Sequence, residues 1–375
     1  MSDKRADLRR AQRIVIKIGS SLLTDQQQGL AVAKIRDYAA AIATQRHAGK
    51  EIVLVSSGAV AEGCVRLGWQ QRPIAVHQLQ AAAAVGQIGL AHAYEESLAA
   101  HDCTTAMVML THEDLADRQR YLNARATLNQ LVELGVVPVI NENDTVATDE
   151  IRFGDNDTLA ALVTNLIEAD LLIILTDVDG LMDQDPRATS DAQRISVAAA
   201  DDPELDRFPS STVGQMGRGG MQTKIGAARL ASRSGAHTVI ASGHDAAIIG
   251  AVLDGQDRGS LLTAAMSPLT ARKRWIANQL RARGALTVDT GAQGALERNS
   301  VSLLAVGVTA VSGSFRRGDM VQIQAEDGRV IAQGLVNYSD ADVRRLLGVK
   351  SEDFADHIDY VGEPELVHRD NLVIL

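Results

Sequence analysis

The chain has 375 residues, a formal net charge of -10, and is 46% hydrophobic but only 3% aromatic. That length suits two domains with well-filled cores, while the acidic balance offers no electrostatic footprint for nucleic acid or an anionic membrane, and so few rings make no obvious stacking platform for bases or sugars. The polar start MSDKRADLRRAQR lacks a signal-peptide pattern, and no apolar run approaches ~18 residues, so a cytoplasmic chain with no membrane segment is expected.

Between Arg13 and about Gly255 short apolar runs alternate with helical segments. The runs fall at 14–18, 52–55, 106–110, 136–140, 171–175 and 238–241, and helices are expected over 32–48, 78–100, 121–134, 158–169 and 221–234. Uniformly apolar strands spaced by helices indicate an α/β fold with an open, mostly parallel sheet covered on both faces. Gly86 and Gly89 in the Ala-rich segment 78–100 would let a neighbouring helix approach closely, as core packing or as a subunit contact. Cys64 and Cys103 form neither a CxxC nor a metal pattern and read as buried thiols.

The first strand, IVIKIGSS, carries Lys17 inside an apolar run, followed by Gly19, Ser20 and Ser21. A lysine in a central strand must find an anion, whereas on an edge strand it would only snorkel to solvent. After the second strand, Ser56, Ser57 and Gly58 repeat a small, polar strand-to-helix turn, weak alone but consistent with an anion at a helix start. Two polar clusters, NEND at 141–144 and GDND at 154–157, sit beside hydrophobic elements, as a polar small-molecule site would require. The strand LLIIL closes on Thr176, Asp177 and a DG turn. The stretch GQMGRGGMQTK at 214–224 opens a helix without the Walker spacing, yet offers free N–H groups and a lysine. A plain turn and a flexible surface loop are the alternatives for these last two; a nucleotide pocket is favoured for the turn by its place at the end of a buried strand, and phosphate binding for the glycine-rich stretch by its helix start and lysine.

Near Arg258 the composition shifts to Gly, Ser and Pro and then to a basic run, ARKRW. Shorter runs follow, among them ALTVD, GDMVQIQ and GRVIAQGLVNY, which suggest a small, mainly β domain.

Together, VIKIGSSLLT, VLVSSGAVAEG, PVINENDTVATDEIRFGDNDTLAALVT, ILTDVDGLMDQDPR and GRGGMQTKIGAARLA resemble the amino acid kinase family. The C-terminal part, with RKRWI, SLLAVGV and VHRDNLVIL, resembles a PUA domain. The resemblance implies the amino acid kinase fold over 1–258, a linker over 259–274 and a PUA-like domain over 275–375. It further implies ATP-dependent phosphorylation of the side-chain carboxylate of L-glutamate, the first step toward proline, with Mg²⁺ accompanying the nucleotide. By family pattern Ser57, Asp144 and Asn156 look like glutamate-binding residues. Lys17, Thr176, Asp177, Arg218, Gly219, Gly220, Met221, Gln222, Thr223 and Lys224 look like ATP contacts. Lys17, Lys224 and Asp157 carry the catalytic roles, with Asp157 orienting the two lysines, and a homo-oligomer under proline feedback is expected.

The residue types suit that chemistry. A carboxylate nucleophile is already deprotonated, so no base is needed, and no histidine lies in the motifs. Positioning and charge stabilisation remain, which lysines, Mg²⁺ and glycine N–H groups supply. Asp144 can pair with the substrate ammonium, and Asn156 with backbone amides can hold its α-carboxylate. Acetylglutamate or aspartate as acceptor is the nearest alternative. An RNA-binding role for the last domain is disfavoured, because from Arg272 onward 13 Lys and Arg face 14 Asp and Glu.

Overall fold

The computed structural model describes residues 4–25, 29–146, 156–184, 191–207, 220–265, 282–299 and 301–374. They fall into two units, Met1–Pro268 and Leu269–Leu375.

Eight strands form the sheet of the first unit: β1 (Arg13–Ile18), β2 (Glu51–Val55), β3 (Thr105–Leu110), β4 (Val137–Glu142), β5 (Leu171–Thr176), β6 (Val197–Ala199), β7 (His237–Ser242) and β8 (Ser260–Thr263). Their order is β3-β4-β2-β1-β5-β7-β8-β6, parallel except where β8 runs against β7. The flanking helices include α1 (Val32–His47), α2 (Ala59–Arg66), α3 (Val76–Ala99), α4 (Arg118–Glu133), α5 (Asn156–Leu166), α6 (Met221–Arg233) and α7 (Ile248–Leu253). Alternation along β1 sends Ile14, Ile16 and Ile18 into the layer of α1 and α7, and Val15 into the layer of α5 and α6. Because each strand is covered twice, its residues are apolar without a break, and the six apolar runs of the sequence are six of these strands.

Lys17 shares the parity of Val15 and therefore faces the α5/α6 layer. β1 is central, registered Lys17 to Val55 on one side and Lys17 to Ile174 on the other. The chain leaves β1 toward β2 and later returns to its other side at β5, so strand order reverses at β1. In open α/β sheets the carboxyl edge at such a reversal is the place for a ligand.

The glycines of the Ala-rich segment serve helix-on-helix packing within the chain. A Cβ on Gly63 of α2 would lie 1.7 Å from the Ala82 carbonyl oxygen of α3, and one on Gly86 would lie 1.8 Å from that of Ala59. The two helices thus meet backbone to backbone. At the start of the unit, Arg5 is 5% exposed and donates to the carbonyls of Ser196, Gln256, Arg258 and Gly259 at 2.7–3.0 Å, with Asp257 3.0 Å away. Cys64 and Cys103 are buried thiols, and burial pushes both above their ordinary pKa.

The span 259–274, expected to be a linker, contains β8, which extends the main sheet beyond 258. Its four residues are too few to stand out from the neighbouring Gly and Ser. The turn into it relies on Gly259 (φ +61°), where a Cβ would lie 2.4 Å from the Ile240 carbonyl oxygen.

In the second unit β9 (Gly284–Val288), β10 (Val308–Gly313), β11 (Met320–Ala325), β12 (Val330–Leu335) and β13 (Leu372–Ile374) pair in the order β10-β9-β11-β12-β13. Two helices, α8 (Thr290–Asn299) and α9 (Asp340–Leu346), accompany them, and Tyr338 packs edge-on against Phe354 at 5.6 Å between ring centroids. Among the described residues no helix is long and apolar enough to cross a membrane.

Gly63→Ala should force α2 and α3 apart. Overpacking by one methyl group costs about 1–3 kcal/mol, so the melting temperature of the first unit should fall by roughly 3–10 °C. Gly226→Ala in α6, where a Cβ meets nothing within 4 Å, should leave it unchanged or raise it. Calorimetry of both variants checks the contrast.

Candidate active site

Three loops meet at the carboxyl edge around β1. Asp157, in the first turn of α5, is fully buried, with Lys17 Nζ 2.5 Å from Oδ1 and Lys224 Nζ 3.1 Å from Oδ2. The lysines come from opposite elements, β1 and α6, and are 5% and 6% exposed. Lys17 reaches the carboxylate because β1 is a central strand and its alternation aims it at α5; the edge-strand alternative does not apply. The Thr223 hydroxyl lies 3.2 Å from Asp157 Oδ2 and 2.7 Å from the Gly220 carbonyl oxygen, tying the start of α6 to the same carboxylate. Burying three ionised groups is tolerable only because they compensate one another at contact distance.

Gly220 caps α6 in an extended conformation, followed by half-buried Met221, Gln222 and Thr223. Arg218 and Gly219 lie outside the described residues. Across β1, Thr176 ends β5, and its hydroxyl donates to Asp177 Oδ1 at 3.1 Å. Asp177 is exposed. The DG turn beyond it packs against the start of β8. Gly180 has φ +98°, its Cβ would sit 2.5 Å from Ser260 Oγ, and the Leu181 N–H donates to that hydroxyl at 2.8 Å. Gly180 meets two demands at once, a left-handed turn and a close approach.

A second cluster lies on the β2 and β4 side. The Asn156 amide nitrogen donates to the Ser56 carbonyl, to Ser57 Oγ at 3.2 Å and to Asn141 Oδ1 at 2.9 Å. Asn156 and Asp157 are adjacent, so one helix start joins this cluster to the lysines. Ser56 is fully buried, its N–H bonded to the Ile140 carbonyl at 2.8 Å and its hydroxyl 3.0 Å from the Tyr94 phenol. Gly58 follows at φ +108° and starts α2. Asp144 stands two residues beyond the end of β4, half-buried.

The sequence candidates therefore form two groups. Lys17, Asp157, Thr223 and Lys224 touch, and Ser57 and Asn156 touch, while Thr176 at the end of β5 and Asp177 and Asp144 in the turns beyond their strands lie at the same edge. Sequence reading gave no role to Asn141, 1% exposed inside the NEND cluster, or to Gln87 of α3, whose Oε1 accepts from Asn141 Nδ2 at 2.8 Å. The signal for Gln87 was faint: one amide in an Ala- and Gly-rich helix, beside the close-packed Gly86.

Removing one member of a buried ion pair costs roughly 3–5 kcal/mol. Asp157→Asn should therefore lower the melting temperature of the ligand-free protein by about 10 °C. Lys17→Met, which leaves Lys224 beside the carboxylate, should lower it by about half as much. Thermal unfolding monitored by circular dichroism checks the order; a larger loss for Lys17→Met would remove Asp157 from the centre of the site.

The family model described as the amino acid kinase family matches residues 12–242, and that of the PUA domain matches 284–358. A glutamate 5-kinase of Pseudomonas syringae pv. syringae is 57% identical over 365 residues, 97% of this chain and 98% of that protein. A glutamate 5-kinase of Thioalkalivibrio sulfidiphilus is 56% identical over the full length of both. A UMP kinase structure from Bacillus anthracis aligns with TM-score 0.48 at 14% identity, covering 68% of this chain and 98% of that one. The matched motifs hold the contacts just described, and on this agreement the chain belongs to the amino acid kinase family, with a PUA domain following the kinase domain.

Proposed function

We propose that the chain transfers the γ-phosphoryl group of ATP to the side-chain carboxylate of L-glutamate, giving L-glutamyl 5-phosphate, the first step of proline biosynthesis. The observation that carries this reading is the pair of buried lysines held by Asp157 within one helical turn of the Ser57–Asn156 cluster. Full-length similarity to glutamate 5-kinases supports it.

The reaction joins an anion to a polyanion, so repulsion is the main barrier. Lys17 and Lys224 offset it by presenting ammonium groups to the phosphoryl oxygens, and Asp157 keeps both in place before the substrates arrive. The helix start at Gly220 offers backbone N–H groups to the phosphates, and Thr176 and Asp177 line the nucleotide side. Mg²⁺ accompanying ATP would lower the charge of the phosphates, and Asp177, exposed beside Thr176, is the carboxylate that would reach a water of the ion's shell. Ser57, Asn156 and Asp144 hold the amino acid end of the acceptor. A half-buried carboxylate at Asp144 favours a free ammonium, which sets glutamate above acetylglutamate. The same reading includes a homo-oligomer and inhibition by proline. The second unit contributes none of these residues, and its near-neutral charge gives no reason for RNA binding.

An ATP-consumption assay with L-glutamate, N-acetyl-L-glutamate, L-aspartate and UMP as acceptors tests the reading, with glutamate-dependent turnover expected. Equal or better turnover with another acceptor would replace it. Lys17→Ala and Lys224→Ala should each lower kcat by ~10²-fold, as loss of one transition-state donor does. Asp144→Asn should raise the glutamate KM by ~10-fold or more and leave the ATP KM within about twofold. The reverse pattern would exchange the two subsites. A chain ending at Pro268 should keep glutamate-dependent turnover, since every residue named lies before that point; a folded but inactive truncation would assign the second unit a part in the site.

A further inference from the structure

The hydrogen-bond polarity around Asn156 is fixed by one atom. The Ser56 carbonyl oxygen can only accept, so the Asn156 atom facing it is the amide nitrogen. That nitrogen also meets Asn141, which must present Oδ1 to it and therefore turns Nδ2 toward Gln87. Gln87 in turn must present Oε1, which leaves its Nε2 3.2 Å from the Met107 sulfur on β3, a weak acceptor that tolerates a donor. Three amides thus run in a single direction from the β2 turn to α3. Ser56 itself is bonded from α3 as well, through Tyr94. Reversing any one amide would set nitrogen against nitrogen or oxygen against oxygen. Asn141 is 1% exposed, so water offers no substitute there.

We infer that Gln87 is a positioning residue for the acceptor substrate: through Asn141 it holds Asn156 with the amide nitrogen turned to the protein and the carbonyl oxygen left for the substrate ammonium. The three acceptors around Asn156 Nδ2, Ser56 O, Ser57 Oγ and Asn141 Oδ1, already exceed its two protons. A substrate α-carboxylate would be a fourth. An ammonium instead finds the carbonyl oxygen, for which the described residues contain no donor. This reverses the role expected for Asn156 from sequence, and it rests on the glutamate-kinase reading. The helix that supplies Gln87 is itself held without slack, because Gly86 meets the Ala59 backbone one residue away.

The test is steady-state kinetics of the full-length protein. Gln87→Leu removes the acceptor of Asn141 Nδ2 and should raise the glutamate KM by about 10-fold while the ATP KM stays within about twofold. Gln87→Glu still accepts that N–H and should return the glutamate KM to within about threefold of the parent. Glutarate, which lacks the amine, should inhibit the parent and Gln87→Leu with the same constant. If Gln87→Leu proves unstable, Gln87→Ala, which favours the helix and has no side-chain acceptor, replaces it with the same expectation. Unchanged glutamate KM, equal rises in both KM values, failure of Gln87→Glu to restore binding, or a parallel loss of glutarate affinity would each overturn the inference. A parent protein that turns over ATP with no dependence on glutamate would instead overturn the functional reading on which it rests.

Discussion

One carboxylate organises the first unit. Asp157 is fully buried and in contact with two lysines from elements more than 200 residues apart in sequence, Lys17 and Lys224. A buried charge is tolerable only when its partners are close, so this side chain constrains where β1, α5 and α6 can lie relative to one another. The layer around it is otherwise apolar, with Leu159, Val163, Leu172, Ile174 and Ile225 fully excluded from solvent. That surrounding strengthens the attraction and makes any misplacement of the three elements costly. The cations that a phosphoryl group would meet are held by the same interaction that fixes the packing.

The division of labour across the site follows from chain order. Residues 17, 176 and 220–224 come from β1 and the strands and helices on one side of it, while Ser57, Asn141 and Asn156 gather on the side of β2 and β4. Asn156 and Asp157 are consecutive on α5, so the two halves are one residue apart at their point of contact. A change in the pitch of that first turn would move both clusters together. The outer supports differ in kind. The β5 side rests on hydroxyl and turn contacts such as Ser260 to Leu181, and the side of β2 and β4 on amide bonds to α3 and a backbone-to-backbone helix contact.

Much of this was legible in the sequence, for physical reasons that also mark the limits. The six apolar runs became strands because double burial leaves no polar positions to confuse the pattern, and Lys17 stood out because it breaks one of them. The clusters at 141–144 and 154–157 stood out because polar side chains crowded at element ends need partners. β6 and β8 were missed: with three and four residues, and with β6 partly exposed, neither shows periodicity. The sequence TGAQGALERN gave no helical stripe for α8, since two glycines interrupt it. Gln87 was illegible because its task depends on a partner 54 residues away and on the polarity of a carbonyl, which no spacing rule records.

The anchoring of Arg5 bears on how the chain comes together during synthesis. The carbonyl acceptors described for its side chain lie 191–254 residues downstream, so those contacts form only once β6 and the turn before β8 have been made. β1 meets the same delay on one side: it can pair with β2 early, but β5 is delivered about 160 residues later. The half of the sheet made of β1 to β4 must therefore keep an open, apolar edge at β1 until the second half arrives. Such an edge is where a nascent chain is most prone to pair wrongly, and the late closure of Arg5 over residues 196 and 256–259 seals the assembled sheet only after that hazard has passed.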